Sequence, residues 1–137
     1  MSNRAVKWFS TLHTVMYRTT RGRIGHRLAA NDMLLLTTTG HKTGAKHTVP
    51  LLYLHSGDDL VVIASYGGKP NHPTWYQNLL ANPRASVQIL GKRRQVEATT
   101  MISRERREWW PQIVEAYGDY AVYQSRTTRK IPVVWLR

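Results

Sequence analysis

From Met33 onward, three apolar runs follow one another with no helix-length segment between them. They are "MLLLTTT" (33–39), "HTVPLLYLH" (47–55) and "LVVIASY" (60–66), short and rich in apolar or β-branched residues. A parallel pair of strands needs a crossover of about a dozen residues or more, usually a helix. The connectors here are shorter, so the strands must pair antiparallel, and a Rossmann unit is excluded. "SGDD" turns the second run into the third, and the two are expected to form a hairpin.

The rest of the chain completes the pattern. "WYQNLLANP" (75–83) predicts a short central helix stopped at Asn82-Pro83. "ASVQIL", a turn at "GKRR" and "QVEATTMI" predict a second hairpin. Ser103 is placed to cap a helix through "RERREWWPQIVEAY", with Pro111 kinking or restarting it, and "IPVVWLR" closes the chain as a strand. About six strands are too few for a large sandwich but enough for a small barrel with helices over its openings. The fold class expected is mainly β (α+β). Pro50 predicts an edge or a bulge.

Ahead of the strands, Val6, Phe9, Leu12, Val15 and Met16 recur at helical spacing between Ala5 and Arg18. Residues 1–31 carry six basic side chains and no acid, so they read as a basic amphipathic helix and linker before a domain of residues 32–137. Such a helix can lie on an anionic membrane surface or pack on its own domain or a partner. The N-terminus lacks a signal-peptide pattern, and no apolar run is long enough to span a bilayer. A cytoplasmic location is expected, with contact to the inner membrane face through that helix.

Charge narrows the partners. With 20 Lys+Arg against 8 Asp+Glu, the formal net charge is +12, which favours polyanions: nucleic acid, anionic lipid or an anionic cofactor. The chain has no cysteine, which excludes disulfides and thiolate metal sites. The six histidines show no metal-ligand spacing, and no nucleophile elbow or close carboxylate pair appears. Any chemistry therefore belongs to a cofactor.

Three stretches are candidate sites. "TTTGHKTGAKHT" lacks the Gly-Lys pair of a phosphate-binding P-loop and leads into a strand rather than a helix. Its glycines, hydroxyls, His41, Lys42, Lys46 and His47 could hold a phosphate or carboxylate, although a solvated basic hairpin has the same composition. "ASYGGKPNHPTWYQN" combines a Gly-Gly pair, which permits close backbone approach, with Trp75 and Tyr76 at a helix start; a structural loop with a core Trp is the alternative. Tyr117, Tyr120 and Tyr123 share one face if their segment is helical, as buried packing or as the wall of a pocket for a planar ligand.

In this order and spacing, the three stretches resemble the deazaflavin-dependent nitroreductase family, split β-barrel proteins of actinobacteria that use coenzyme F-420. The resemblance rests on "LLLTTTGHKTGAKHTVPLLYL", "IASYGGKPNHPTWYQNLLANPRASVQI" and "WWPQIVEAYGDYAVYQSRTTRKIPVV", and runs from about Met33 to Trp135. It implies that His41, Lys42, Thr43 and His47 hold the coenzyme's phosphodiester and glutamate tail. It places Thr48, Val49, Pro50, Leu51 and Leu52, with Ile63, Ala64, Ser65 and Tyr66, along the deazaflavin and its ribityl chain. Thr74, Trp75, Tyr76, Gln77 and Asn78 complete that cradle, joined by Tyr120. Trp75, Tyr117, Tyr120 and Tyr123 are implied to shape the substrate pocket, and Ser65, Tyr120 and Tyr123 to serve the reaction. Two positions depart from the family's pattern: His47 replaces a common Arg and Tyr66 a common Lys.

The function implied is hydride transfer from reduced F-420 to a small electrophilic acceptor such as a nitroaromatic, quinone or enone, with no metal and no nucleic-acid partner. An FMN-dependent relative and a non-enzymatic lipid or haem binder are the rival readings. Split barrels often pair through their sheets, so a homodimer is expected.

Overall fold

Alternation along the first strand shows how the sheet is built. In β1 (Met33–Thr39), Leu34, Leu36 and Thr38 are buried while Leu35 between them is exposed, the period of two that a strand with one covered face requires. The computed structural model describes residues 33–137. The expected N-terminal helix and the unit of residues 1–31 lie outside the described residues.

β1 is followed by β2 (Lys46–Leu52), β3 (Leu54–Ser56), β4 (Asp59–Ile63) and a 3-10 turn (Tyr66–Gly68). Then come α1 (Thr74–Ala81), β5 (Arg84–Ile89), β6 (Lys92–Thr100), α2 (Ser103–Ala116), α3 (Asp119–Ser125) and β7 (Val133–Leu136). The strands form one antiparallel sheet in the order β2-β1-β5-β6-β7-β4-β3. Its two ends, β2 and β3, are consecutive pieces of one run broken at Tyr53, and β2 also approaches β4. The sheet thus curls nearly closed: an α+β split barrel.

Burial explains the sequence of the two central strands. β4 and β7 are buried along almost their whole length, because both of their faces are covered. Leu60, Val62, Val134 and Leu136 face one core with Leu34, Leu36, Val87 and Val96, and α1 contributes Trp75, Tyr76 and Leu79 to it. Val61, Ile63, Val133 and Trp135 face a second core, closed by Trp109, Trp110 and Ile113 of α2 and by Tyr120 and Tyr123 of α3. One sheet therefore carries the helix of the candidate cradle on one side and the tyrosines on the other.

Four local expectations are corrected. The run 47–55 does not pair as a whole with 60–66: β3 pairs with β4, but β2 pairs with β1 from Met33↔Leu52 to Thr39↔Lys46. The break at Tyr53 lets one run serve two neighbours. The second hairpin turns at Leu90-Gly91, both left-handed (φ 51 and 80), so β6 begins at Lys92 within "GKRR". Ile102, not Ser103, occupies the cap position of α2, where its N–H donates to Glu105 Oε1 at 3.3 Å. Of the two alternatives at Pro111, a restart is excluded, because one helix runs from Ser103 to Ala116 through it. Pro50 sits on β2, the terminal strand of the sheet order, as an edge proline should.

Candidate functional site

The β1–β2 turn is closed by its own backbone. Gly40 N–H donates to Ala45 O (2.7 Å), Gly44 N–H donates to Gly40 O (2.9 Å), and Gly44 takes φ 76. Ala45 N–H reaches Thr43 Oγ1 and Lys46 Nζ reaches Thr39 Oγ1. His47 packs directly on Gly40, where a Cβ would lie 2.9 Å from its Nε2. Lys42 and Thr43 stand at the exposed tip, and Lys42 takes no part in these bonds. Thr48 shares a hydrogen bond with Thr37 across the hairpin (2.7 Å).

Asn78 of α1 supports this turn from beneath. Its Oδ1 accepts from His41 N–H (3.0 Å) and from His41 Nδ1, and its Nδ2 donates to Thr38 Oγ1 (3.0 Å). At 1% exposure it has no water to substitute for these partners. The side chain expected along the coenzyme is thus committed to orienting His41, whose Nε2 remains available.

Behind α1 lies the strained segment 64–72. Tyr66 has φ 47, a left-handed backbone that costs a non-glycine residue about 1–2 kcal/mol, followed by Gly67 and Gly68 at φ 63 and 81. Lys69 Nζ stands 4.4 Å over the Tyr66 ring. Arg129, which the sequence reading did not single out, holds the segment: Nε donates to Lys69 O (2.9 Å), Nη1 to Ala64 O (3.2 Å) and His72 Nδ1 (3.0 Å), and Nη2 to Ser65 O (2.7 Å). Burial, then the nearby Arg129 charge, lowers the His72 pKa and keeps its ring neutral as an acceptor. Gln77 Nε2 bonds His72 O (2.9 Å), which ties the segment to α1.

Several expected residues turn their side chains inward. Ile63, Ala64, Trp75 and Tyr76 are buried in the cores, and the Tyr76 hydroxyl bonds Thr100 Oγ1 (2.7 Å). Val49 and Leu51 pack at the margin of the inner core, and Leu52 joins Met33, Ile89 and Tyr117. Ser65 is 9% exposed, whereas Thr74 is open to solvent. A cleft of about 210 Å³ between α1 and β6 includes Tyr76 alone of the expected residues and no cation, so it is not this site.

The three tyrosine rings come together, although not on one helix: Tyr117 caps the end of α2, while Tyr120 and Tyr123 belong to α3. Tyr117 and Tyr120 stack edge to face at 5.2 Å, and Tyr120 and Tyr123 at 6.0 Å. Burial, reinforced by Tyr123, pushes the Tyr120 hydroxyl far above its usual range. Tyr117 is raised by burial first, then by Tyr123 and Asp119. Both therefore stay neutral donors at any working pH. α3 lies against the glycine pair: a Cβ on Gly68 would come 2.4 Å from Tyr123 O, and Arg126 Nη1 reaches Gly67 O at 3.5 Å. Gln124 fixes the following loop through Arg106, Arg129 O and Ile131 N–H. Among the described residues no cluster of His, Asp or Glu could hold a metal.

The three stretches are therefore one connected structure, from turn to α1 to strained segment to α3. Residues 8–137 match the sequence profile of the F420H(2)-dependent quinone reductase family. The chain belongs to that family. An F420H(2)-dependent quinone reductase of Mycobacterium tuberculosis is 45% identical over 131 residues, covering 91% of this chain and 87% of that protein. The solved structure of an F420-H2 dependent reductase, FDR-A, has a TM-score of 0.70 at 43% identity, over 77% of this chain and 94% of its own. A second solved relative, a domain-swapped dimer, has a TM-score of 0.71 at 38% identity, over 90% of this chain and 98% of its own. The haem storage protein HutZ of Vibrio cholerae, at 13% identity and a TM-score of 0.64, shares the fold alone. The family reached from the three sequence stretches and its split barrel are thus the ones found.

Proposed function

We propose that this family member reduces quinones at the expense of reduced coenzyme F-420. The observation that carries the reading is the chain of contacts from His41 of the turn to Asn78 of α1, from Gln77 of the same helix to His72, and on through Arg129 to Gln124 of the tyrosine helix. The residues present fit such a coenzyme. Lys42, Thr43 and His47 offer donors for a phosphodiester and carboxylates, joined by His41 Nε2 only in the imidazolium form because Nδ1 already donates to Asn78, and no acid lies between Asp32 and Asp58 to oppose them. Absence of a Cβ at Gly40 and Gly68 permits the tight packing on both sides of the cradle.

When bound, the reduced coenzyme supplies one hydride, and a proton completes the conversion of quinone to hydroquinone. The chain's own residues do the rest. The backbone of Ile63 to Tyr66 and of Thr74 to Asn78 forms the cradle, with Val49, Pro50, Leu51 and Leu52 along its apolar side. The tyrosines exclude water from the acceptor, and Trp75, buried in the inner core, backs the cradle from behind. The hydroxyls of Tyr120, Tyr123 or Ser65 donate hydrogen bonds to the oxygen that gains charge, which is worth most in a dry site. Because Tyr117 and Tyr120 hold their protons so firmly, they act as donors rather than as titrating acids. Solvent delivers the final proton.

Tryptophan fluorescence titrated with oxidised F-420, and in parallel with FMN, tests the cofactor. Saturable quenching by F-420 alone is expected; saturation by FMN alone would transfer the protein to an FMN chemistry. Binding of neither would leave the lipid or haem reading, which has only a shared fold behind it. By analogy with the domain-swapped relative we also propose a homodimer, for which light scattering should give twice 15.8 kDa. A cytoplasmic location with contact between residues 1–31 and anionic lipid belongs to the same proposal. Among the described residues no helix is long and apolar enough to cross a membrane. Charge reversal at Arg4, Lys7 and Arg18 should abolish co-sedimentation with anionic vesicles, and a wild-type chain that stays in the supernatant would end that idea.

A further inference from the structure

The two walls of the proposed pocket come from distant parts of the chain. One is the segment 64–72; the other is α3 with Tyr120 and Tyr123. Arg129 is where they are locked together. Its guanidinium makes four hydrogen bonds to the first wall, all at 2.7–3.2 Å. Its own backbone is held by Gln124 Nε2, which bonds Arg129 O at 2.8 Å, and Gln124 belongs to the helix of the second wall. The acceptors are three backbone carbonyls and a neutral imidazole, so no carboxylate neutralises this guanidinium within the contact.

Why place a charged fork here? The segment it holds carries the unfavourable backbone of Tyr66, which persists only where its surroundings over-determine it. Two backbone bonds close the turn itself, Gly68 N–H to Ser65 O and Lys69 N–H to Tyr66 O. The glycine pair adds no side-chain packing of its own. Arg129 grips the segment at both ends, Ala64-Ser65 and Lys69, and so spans the strained residue. A lysine could satisfy one or two of these acceptors; only the planar five-donor group satisfies all four.

We infer that Arg129 is a positioning residue for the reaction: by clamping Ala64, Ser65, Lys69 and His72 to the tyrosine helix, it sets the separation of the coenzyme wall from the acceptor wall. It touches neither ligand. The inference rests on the pocket proposed above. Misplacement of reacting groups by even about 1 Å can cost two orders of magnitude in rate, so the clamp acts on turnover more than on affinity.

The test compares wild type, Arg129→Lys, Arg129→Gln and the exposed neighbour Lys130→Gln. Four readouts are taken: amide hydrogen exchange at Gly68 and Lys69, thermal unfolding, Kd for oxidised F-420, and kcat and KM with menadione as the probe quinone. In Arg129→Gln we expect exchange at those two amides to accelerate at least tenfold and kcat to fall at least tenfold, with Kd within about threefold. Arg129→Lys should fall between, and Lys130→Gln should match wild type. Should Arg129→Gln fail to fold, the lysine variant carries the comparison. Unchanged exchange at 68–69, or a lower melting temperature with kcat per folded molecule unchanged, overturns the inference. Failure of wild type to bind F-420 would remove the proposed function instead, while the exchange result would still decide whether the clamp exists.

Discussion

At the scale of single residues, two side chains and two glycines decide the geometry, and each makes a prediction. Asn78 has every acceptor site and one donor in use at 1% exposure. Asn78→Ala would leave the His41 N–H and the Thr38 hydroxyl unpaired beside a small cavity, a loss of about 2–4 kcal/mol by denaturant titration. F-420 affinity should fall with it, because His41 loses its orientation. The two tight glycines should behave differently from each other. Gly68→Ala drives a Cβ into backbone at 2.4 Å in a left-handed residue, so a loss of more than about 2 kcal/mol is expected. Gly40→Ala meets the tip of the His47 ring, which can swing away, and Ala45 O at 3.1 Å, which must give by a few tenths of an ångström, so a smaller loss of about 0.5–1 kcal/mol is expected while the turn loses its imidazole. Equal costs for the two would contradict the packing described. His72 predicts a pH dependence. Its folded pKa is lowered from 6.5, so between that lowered value and 6.5 the unfolded chain binds more protons. Its contribution is therefore complete above pH 6.5 and is lost as acid takes the pH through the folded value. Urea midpoints measured against pH should show a slope there that His72→Asn, with an uncharged acceptor in place of Nδ1, removes.

Among the elements, the hairpins show what a sequence reveals and what it hides. β1, β5 and the two-sided strands β4 and β7 were readable, since alternation and continuous apolar runs report directly on how many faces are covered. The tyrosine spacing left α3 open, since it fits one face of a helix without requiring a helix there. The division of the run 47–55 between two partners was not, because pairing is a property of the neighbours and Tyr53 carries no breaker chemistry. The Arg129 clamp was invisible for a similar reason. Its four acceptors lie 57 to 65 residues away, and one arginine among 20 basic residues carries no local signal. The missed turn has a use. Two-residue hairpins with both residues left-handed favour Asn-Gly, yet this one is Leu90-Gly91 with Leu90 67% exposed. Leu90→Asn gives up no core and relieves the unfavourable φ, so stability should rise by about 0.5–1 kcal/mol. A melting temperature that drops would overturn this reading of the turn.

For the molecule as a whole, charge is arranged rather than merely abundant. The stretches 33–57 and 60–96, which build the turn, the strained segment and α1, contain no Asp or Glu. The acids beyond Asp32 are confined to the β3–β4 turn (Asp58, Asp59), to Glu97 of β6, to Glu105, Glu108 and Glu115 of α2, and to Asp119 of α3. An anion approaching the Lys42 tip therefore meets a positive field from several elements, and the field acts at ranges that salt controls. The Debye length is about 10 Å at 0.1 M salt and about 3 Å at 1 M, so distant charges contribute at the first and little at the second. If the tip holds an anionic tail, F-420 affinity should fall by about tenfold or more between these salt concentrations. FMN, with a shorter anionic tail, should show a weaker dependence. Lys42→Ala should lower the low-salt affinity and flatten the curve, while both proteins converge at high salt, where only contacts in the dry cradle remain. An affinity indifferent to salt would place the tail away from this turn, and the +12 of the chain would then need another anion to explain it.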